Sequence, residues 1–221
     1  MRVILFGASG MIGRGVLLEA LDSPVITEVI SVGRRPVDVE HAKLRQIEHA
    51  DFEHFEALAD DFTGLDACFW CLGVQSAGLD EAAYSRITYA YTMAAARVLR
   101  ERSPGLRFCF VSGAGTDATE KGRTMWARVK GRTENALSAM GFADVIHFRP
   151  ALIRPMRGSK PRGTAYVITY AILGVFMPLF RLFGGATSTV EIGRAMIAAA
   201  QGKSEQKVLD SPAINRLAAT V

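Results

Sequence analysis

The chain has 221 residues, 49% hydrophobic and 22% charged, with a formal net charge of +4. That composition describes one large globular domain or two small ones and excludes a disordered chain. The mild positive excess suits a small polyanionic ligand, and no Lys/Arg run is dense enough to point to nucleic acid. Arg2 is followed by only four apolar residues before a glycine, which does not make a secretory signal, so the expected address is the cytoplasm.

In chain order, Val3 to Phe6 reads as a short buried strand running into Gly7, Gly10 and Gly13, after which Ile12, Val16, Leu17 and Ala20 repeat at helical spacing. A strand, a tight glycine turn and an opening helix form the phosphate-binding entry of a dinucleotide fold. Gly7 takes a left-handed turn, Gly10 lets backbone N–H groups approach a pyrophosphate, and Gly13 lets the helix pack closely. The free N–H groups and positive dipole end of that helix favour an anion. The plainer reading is a strand–turn–helix whose glycines merely make the turn.

Val25 to Val32 reads as a second strand, delivering Gly33, Arg34 and Arg35. Just beyond strand two an acid accepts from the 2′-hydroxyl of NAD, whereas an arginine accommodates the 2′-phosphate of NADP. Two arginines and no acid before Asp38 favour NADP(H) over NAD(H); the alternative is a pair of solvated loop arginines. Leu44 to Glu48 is a weak third strand. Asp51–Phe52 after it is placed to border the adenine, or Asp51 serves as the N-cap of a short helix.

Leu65 to Leu72 forms strand four and ends at Gly73, where a cofactor can again approach the backbone closely. Cys68 and Cys71 form a C-x-x-C inside it, but residues three apart on a strand point to opposite faces, so the thiols are not expected to meet. No cluster with metal-ligand spacing occurs, so no metal is expected. A long helix fits 80–102, stopped by Pro104–Gly105. Strand five, Leu106 to Val111, delivers Ser112 at the end where catalytic groups collect in open parallel sheets. Helix five, about 124–140, carries Trp126 and Lys130 four apart and therefore on one face. Strand six, Val145 to Phe148, leads into Arg149, Pro150 and Ala151. Strands alternating with helices argue for a doubly wound parallel α/β sheet, a three-layer α/β/α arrangement.

The apolar segment 163–180 is near the length of a membrane span. It reads first as a buried or substrate-pocket helix, then as a helix on a membrane surface or dimer interface, and last as a span. A capped helix then begins near Ser188–Thr189 and ends at Gly202, Lys207 to Leu209 is a last strand, and Ser211–Pro212 opens a terminal helical turn. The reading is one domain over 1–221, with 1–156 as core and 157–221 as a short C-terminal helical extension completing the substrate side. A homo-oligomer is compatible with it.

Taken together, FGASGMIGRG, SVGRRP, DFEHFEAL, CFWCLGV, FVSGAGTD, ARVKGRTENAL and HFRPALIRP resemble atypical short-chain dehydrogenases/reductases, and especially the Tat-interacting-protein group with its epimerase-like bacterial relatives. The resemblance covers about residues 1–156. It implies a Rossmann-like fold and NADP binding by Gly7, Ser9, Gly10, Met11, Ile12, Arg34 and Arg35. It further implies contacts from Asp51, Phe52, Leu72, Gly73 and the Pro150–Ile153 loop. The family's catalytic set is Tyr-x-x-x-Lys with a Ser or Thr after strand five, the lysine holding the nicotinamide ribose and lowering the tyrosine pKa. Here the serine is Ser112 and the lysine Lys130, but Trp126 stands at the tyrosine position. An indole N–H donates a hydrogen bond but is no acid near neutral pH. Substitute acids are Tyr84, Thr116 or Thr124. Two functions remain open: an NADPH-dependent reductase or epimerase-like enzyme acting on a small molecule with a non-standard proton donor, and a non-catalytic NADP(H)-binding sensor or partner-docking module.

Overall fold

The computed structural model describes residues 1–159 and 185–221; the apolar segment 163–180 lies outside them. Seven parallel strands run in the order β3-β2-β1-β4-β5-β6-β9. They are β1 (Arg2–Phe6), β2 (Glu28–Gly33), β3 (Leu44–Glu48), β4 (Ala67–Trp70), β5 (Arg107–Val111), β6 (Asp144–Arg149) and β9 (Val208–Asp210). The strand order reverses at β1, which makes the gap between β1 and β4 the topological switch point, the position where open α/β sheets bind ligands.

Both faces of the sheet are covered, which is why its central strands are apolar without alternation. Val3 and Leu5 of β1 enter one cluster, and Ile4 and Phe6 enter the other. The first face carries α1 (Met11–Asp22), α5 (Thr189–Ala200) and α6 (Ser211–Ala218). The second carries α3 (Tyr91–Arg102) and α4 (Met125–Ala139), with an aromatic group beside them. In that group the Phe6 ring lies 4.5 Å from Trp70, 5.8 Å from Phe55 and 6.1 Å from Phe62, centroid to centroid. Cys68 belongs to the second face and Cys71 packs against the first, so the two thiols point apart as their spacing predicts. Burial pushes the pKa of both upward.

The expected helix over 80–102 is present but not uniform. It opens as α2 (Glu81–Ser85), widens into a π turn over Arg86–Ala90, and resumes as α3. No glycine or proline marks that widening in the sequence. The Asp80 side chain caps α2 by accepting from Ala83 N at 2.7 Å. Two elements escaped the sequence pattern altogether. β7 (Leu152–Arg154) and β8 (Ala186–Ser188) form a separate two-stranded parallel ribbon, each strand too short to show a period.

The C-terminal residues are woven into the first layer. α5 begins under the predicted cap, Ser188 Oγ accepting from Glu191 N at 3.1 Å, and the chain turns at Gly202 with φ +78°. Almost the whole of α5 is buried, well beyond the apolar stripe of Ile192, Ala195, Met196 and Ala199. It packs on α1 through two glycines. A Cβ on Gly15 would meet the Thr189 side chain at 2.5 Å, and one on Gly193 would meet Glu19 at 2.9 Å. Such contact distances admit glycine alone. β9 then joins the sheet edge, and α6 follows with Asp210 as its N-cap, accepting from Ala213 N at 2.9 Å.

Candidate active site at the strand switch point

The glycine turn is built as its spacing implies. Gly7 has φ +83°, and a Cβ there would meet Leu72 N at 2.6 Å, so the turns leaving β1 and β4 touch across the switch point. Gly10 N donates to Gly7 O at 2.9 Å, closing the turn. A Cβ on Gly13 would fall 2.1 Å from Gly7 O, so the helix starts hard against the turn itself. Ser9 and Gly10 sit on the rim. α1 has no side-chain N-cap and no acid in its first turn. The N–H groups at Met11 and Ile12 therefore remain available to an anion. Beyond β4, Leu72 is half-buried, and Gly73 faces open space, with nothing within 4 Å of a Cβ built on it. A cradle with this steric demand for glycine and an uncapped helix start fits the diphosphate of a dinucleotide.

Arg34 and Arg35 are exposed just past β2, and neither makes an ion pair or hydrogen bond to another described residue. Arg14, not singled out by the sequence pattern, reaches over the same loop, its Nη1 donating to Asp38 O at 3.3 Å. Asp51 is exposed, accepts from Glu53 N at 3.0 Å and pairs with His54 Nδ1 at 2.9 Å, which holds its carboxyl below its ordinary range. It thus anchors a turn before the short 3₁₀ segment Glu56–Leu58 and does not cap a helix. The Phe52 ring is buried in the aromatic group, leaving only its backbone for a nucleotide. Pro150 is buried. The segment after it is not a free loop, because Ile153 lies in β7 with its side chain in the first core cluster.

At the end of β5 three groups converge. Lys130 Nζ donates to Val111 O at 3.1 Å and Ser112 O at 3.2 Å, and it stands 5.5 Å from the Phe110 ring centroid. Ser112 Oγ and Thr116 Oγ1 are 2.8 Å apart, and Thr116 Oγ1 donates to Gly113 O at 2.8 Å. With its one hydrogen committed there, Thr116 accepts from Ser112, whose hydroxyl then offers only lone pairs to a ligand. To donate to a substrate oxygen, Ser112 must turn its hydrogen off Thr116. Trp126 is half-buried against the loop after Ser112: a Cβ on Gly115 would meet its ring at 3.5 Å and one on Gly113 at 3.8 Å. It walls the site as an aromatic. Of the substitute acids, only Thr116 lies beside Ser112. Tyr84 is 2% exposed and burial pushes its phenol up, while Thr124 is exposed at the start of α4.

Burial pushes the Lys130 ammonium down from 10.5 to about 8, partly offset by the Glu134 carboxylate. The unfolded chain keeps that proton to higher pH than the folded one, so folding stability rises with pH between about 8 and the ordinary lysine range. Urea unfolding across that window will show the rise in the wild type and its loss in Lys130→Met.

Behind these groups, Arg149 of β6 grips Glu134 of α4 with both arms, Nε donating to Oε1 at 3.0 Å and Nη2 to Oε2. Sequence periodicity did not reveal this pair; Lys130 and Glu134 lie one helical turn apart, which is the signal it left. Among the described residues no group of three His, Cys, Asp or Glu side chains could hold a metal ion.

The strand order, the glycine cradle at the switch point and the lysine–serine convergence beyond β5 define a dinucleotide-binding protein with a Rossmann-like fold. The sequence profile of the NAD dependent epimerase/dehydratase family matches residues 3–125, and the chain belongs to that family, within the atypical, epimerase-like short-chain dehydrogenases/reductases. The match spans β1 to the first residue of α4 and stops short of Trp126 and Lys130. Protein HTATIP2 of Rattus norvegicus is 27% identical over 221 residues, covering 97% of this chain and 88% of that protein. The protein fmp52, mitochondrial, of Emericella nidulans is 26% identical over 162 residues, 70% of this chain and 68% of it. Among solved structures, WbmF of Bordetella bronchiseptica in complex with NAD+ superposes with TM-score 0.68 at 16% identity, covering 99% of this chain and 76% of that chain.

Proposed function

We propose that this protein is an NADP(H)-dependent oxidoreductase or epimerase-like enzyme acting on a small carbonyl or alcohol. The observation that carries this reading is the convergence of Lys130, Ser112 and Thr116 at the end of β5, beside the glycine cradle. When bound, the nicotinamide would supply or take up hydride. Lys130 would hold the ribose, since an ammonium already drawn to the end of β5 needs little movement to reach it. Ser112 would fix a substrate oxygen once its hydrogen leaves Thr116. We assign Gly7, Ser9, Gly10, Met11, Ile12, Leu72, Gly73, Pro150 and Ile153 to the dinucleotide, with Asp51 and the Phe52 backbone at the adenine. The alternative, a non-catalytic NADP(H)-binding sensor, is favoured by one residue: Trp126 offers no acidic proton where the family's tyrosine would stand.

The preference for NADP(H) rests on Arg34 and Arg35, two guanidiniums without partners among the described residues, where the 2′-phosphate would lie. Fluorescence titration with NADPH and NADH tests it. Arg34→Ala with Arg35→Ala should weaken NADPH binding about 10- to 100-fold, the worth of one or two charge-assisted hydrogen bonds, and leave NADH unchanged. Equal binding of both dinucleotides by the wild type would remove the preference. Lys130→Met separates the two functions: a loss confined to turnover supports the enzyme, a loss confined to affinity the sensor.

No helix among the described residues is long and apolar enough to cross a membrane. The working address is the cytoplasm. Fractionation decides it against the mitochondrial assignment that the fmp52 relative carries in its name.

A further inference from the structure

At the edge of the sheet opposite β3, where β9 is the outermost strand, an open cleft of about 410 Å³ lies beside the loop that follows β5. Arg149, Arg216, Gln206, Asp210, Val208 and Gly115 line it. The loop is fastened over this edge by Ser112 N donating to Phe148 O at 2.7 Å and Ala114 N to Pro150 O at 3.0 Å. The cleft therefore shares a wall with the loop that carries Ser112 and Thr116, but it is separate from the dinucleotide cradle between β1 and β4.

Its donors are underused. Arg149 spends two of its five N–H groups on Glu134 and keeps three. The Arg216 guanidinium, exposed on α6, has neither an ion pair nor a hydrogen bond to any described residue. The N–H of Gly115, held at φ +87°, is likewise without a partner among the described residues. Against these stands one carboxylate, Asp210, which is turned to the start of α6 and lies beyond ion-pair distance of Arg216. Arg149 is balanced by Glu134 and Arg216 stands against Asp210, so the lining is neutral overall; its attraction for an anion lies in the uncommitted N–H groups of the two guanidiniums and supports no more than a single negative charge. A doubly charged anion would bring its second charge toward Asp210. Val208, 44% exposed, adds an apolar surface beside the guanidiniums. A planar anion matches the arginine fork, and the volume is that of a small-ligand site.

We propose that this cleft binds a small organic monocarboxylate, the carboxylate on Arg216 and Arg149 and its apolar body on Val208. The site is distinct from the proposed dinucleotide site and is testable without any dinucleotide.

Amide NMR of the full chain, titrated with sodium benzoate against sodium chloride at matched ionic strength, reads it directly. Benzoate should give saturable shifts at Ala114–Thr116 and Val208–Asp210, weakened at least tenfold in Arg216→Ala. Because Arg216 is exposed, that variant should keep the wild-type spectrum elsewhere. Inorganic phosphate at neutral pH should bind more weakly than benzoate. The assignment is overturned by benzoate shifts that never saturate or match those of chloride, by unchanged affinity in Arg216→Ala, or by phosphate binding more tightly than benzoate.

Discussion

Replacing Arg149 with alanine is expected to lower the unfolding free energy by about 3–5 kcal/mol, measured by urea denaturation. The Glu134 side chain is only 4% exposed, and Arg149 is its ion-pair partner, engaged through both arms. Removing the guanidinium strands a buried carboxylate, and the desolvation already suffered is no longer offset. The contrast lies on the surface of the same helix. Arg128 pairs with Glu81, whose side chain is 55% exposed, so Arg128→Ala should cost less than about 1 kcal/mol. Replacing both members of the buried pair by apolar residues, Glu134→Leu with Arg149→Met, should recover most of the loss. If it recovers nothing, the pair acts through something other than its charge balance.

Restoring a phenol at the other end of the same site has a comparable expected effect on rate. Under the enzymatic reading, Trp126→Tyr should raise NADPH consumption about 10²-fold or more over the wild type, assayed with a panel of small aldehydes and ketones. The reasons are local. Residue 126 lies one turn before Lys130, whose Nζ already sits at the end of β5 with a pKa near 8, and a neighbouring ammonium lowers a phenol's pKa. The tyrosine ring is smaller than the indole it replaces and leaves room beside Gly113 and Gly115. Adding Lys130→Met should cancel the gain. A variant that binds NADPH normally yet turns over no faster would favour the sensor.

The sheet was legible because a parallel strand buried on both faces must be a short apolar run, and the runs of β1, β4 and β5 are each followed by a helical period. The glycine turn was legible for steric reasons: Gly7 and Gly13 stand where no Cβ fits, and their spacing in the sequence records that. What escaped the sequence depends on partners far along the chain. The β7–β8 ribbon joins Leu152 to Ala186, and neither strand has three residues of pattern to spare. The contact of Gly15 with Thr189 and the pairing of Glu134 with Arg149 are tertiary, and the first looks in sequence like one more glycine. Ser112 was read from its position at a strand end, but the direction of its hydrogen is set by Thr116, four residues on. Ile153, which the family resemblance places in a loop, lies in a three-residue strand too short to show a period.

The seating of α1 on α5 also orders events in time. The glycine turn and its helix leave the ribosome well ahead of the surface against which Gly15 closes, which belongs to residues made more than 170 positions later. Until Thr189 and Gly193 arrive, one side of the nascent helix has only solvent or a chaperone to cover it. A ribosome stalled before residue 189 would display the nucleotide motif complete in sequence and unfinished in shape. The cradle is seated only once the chain that covers its helix has been made.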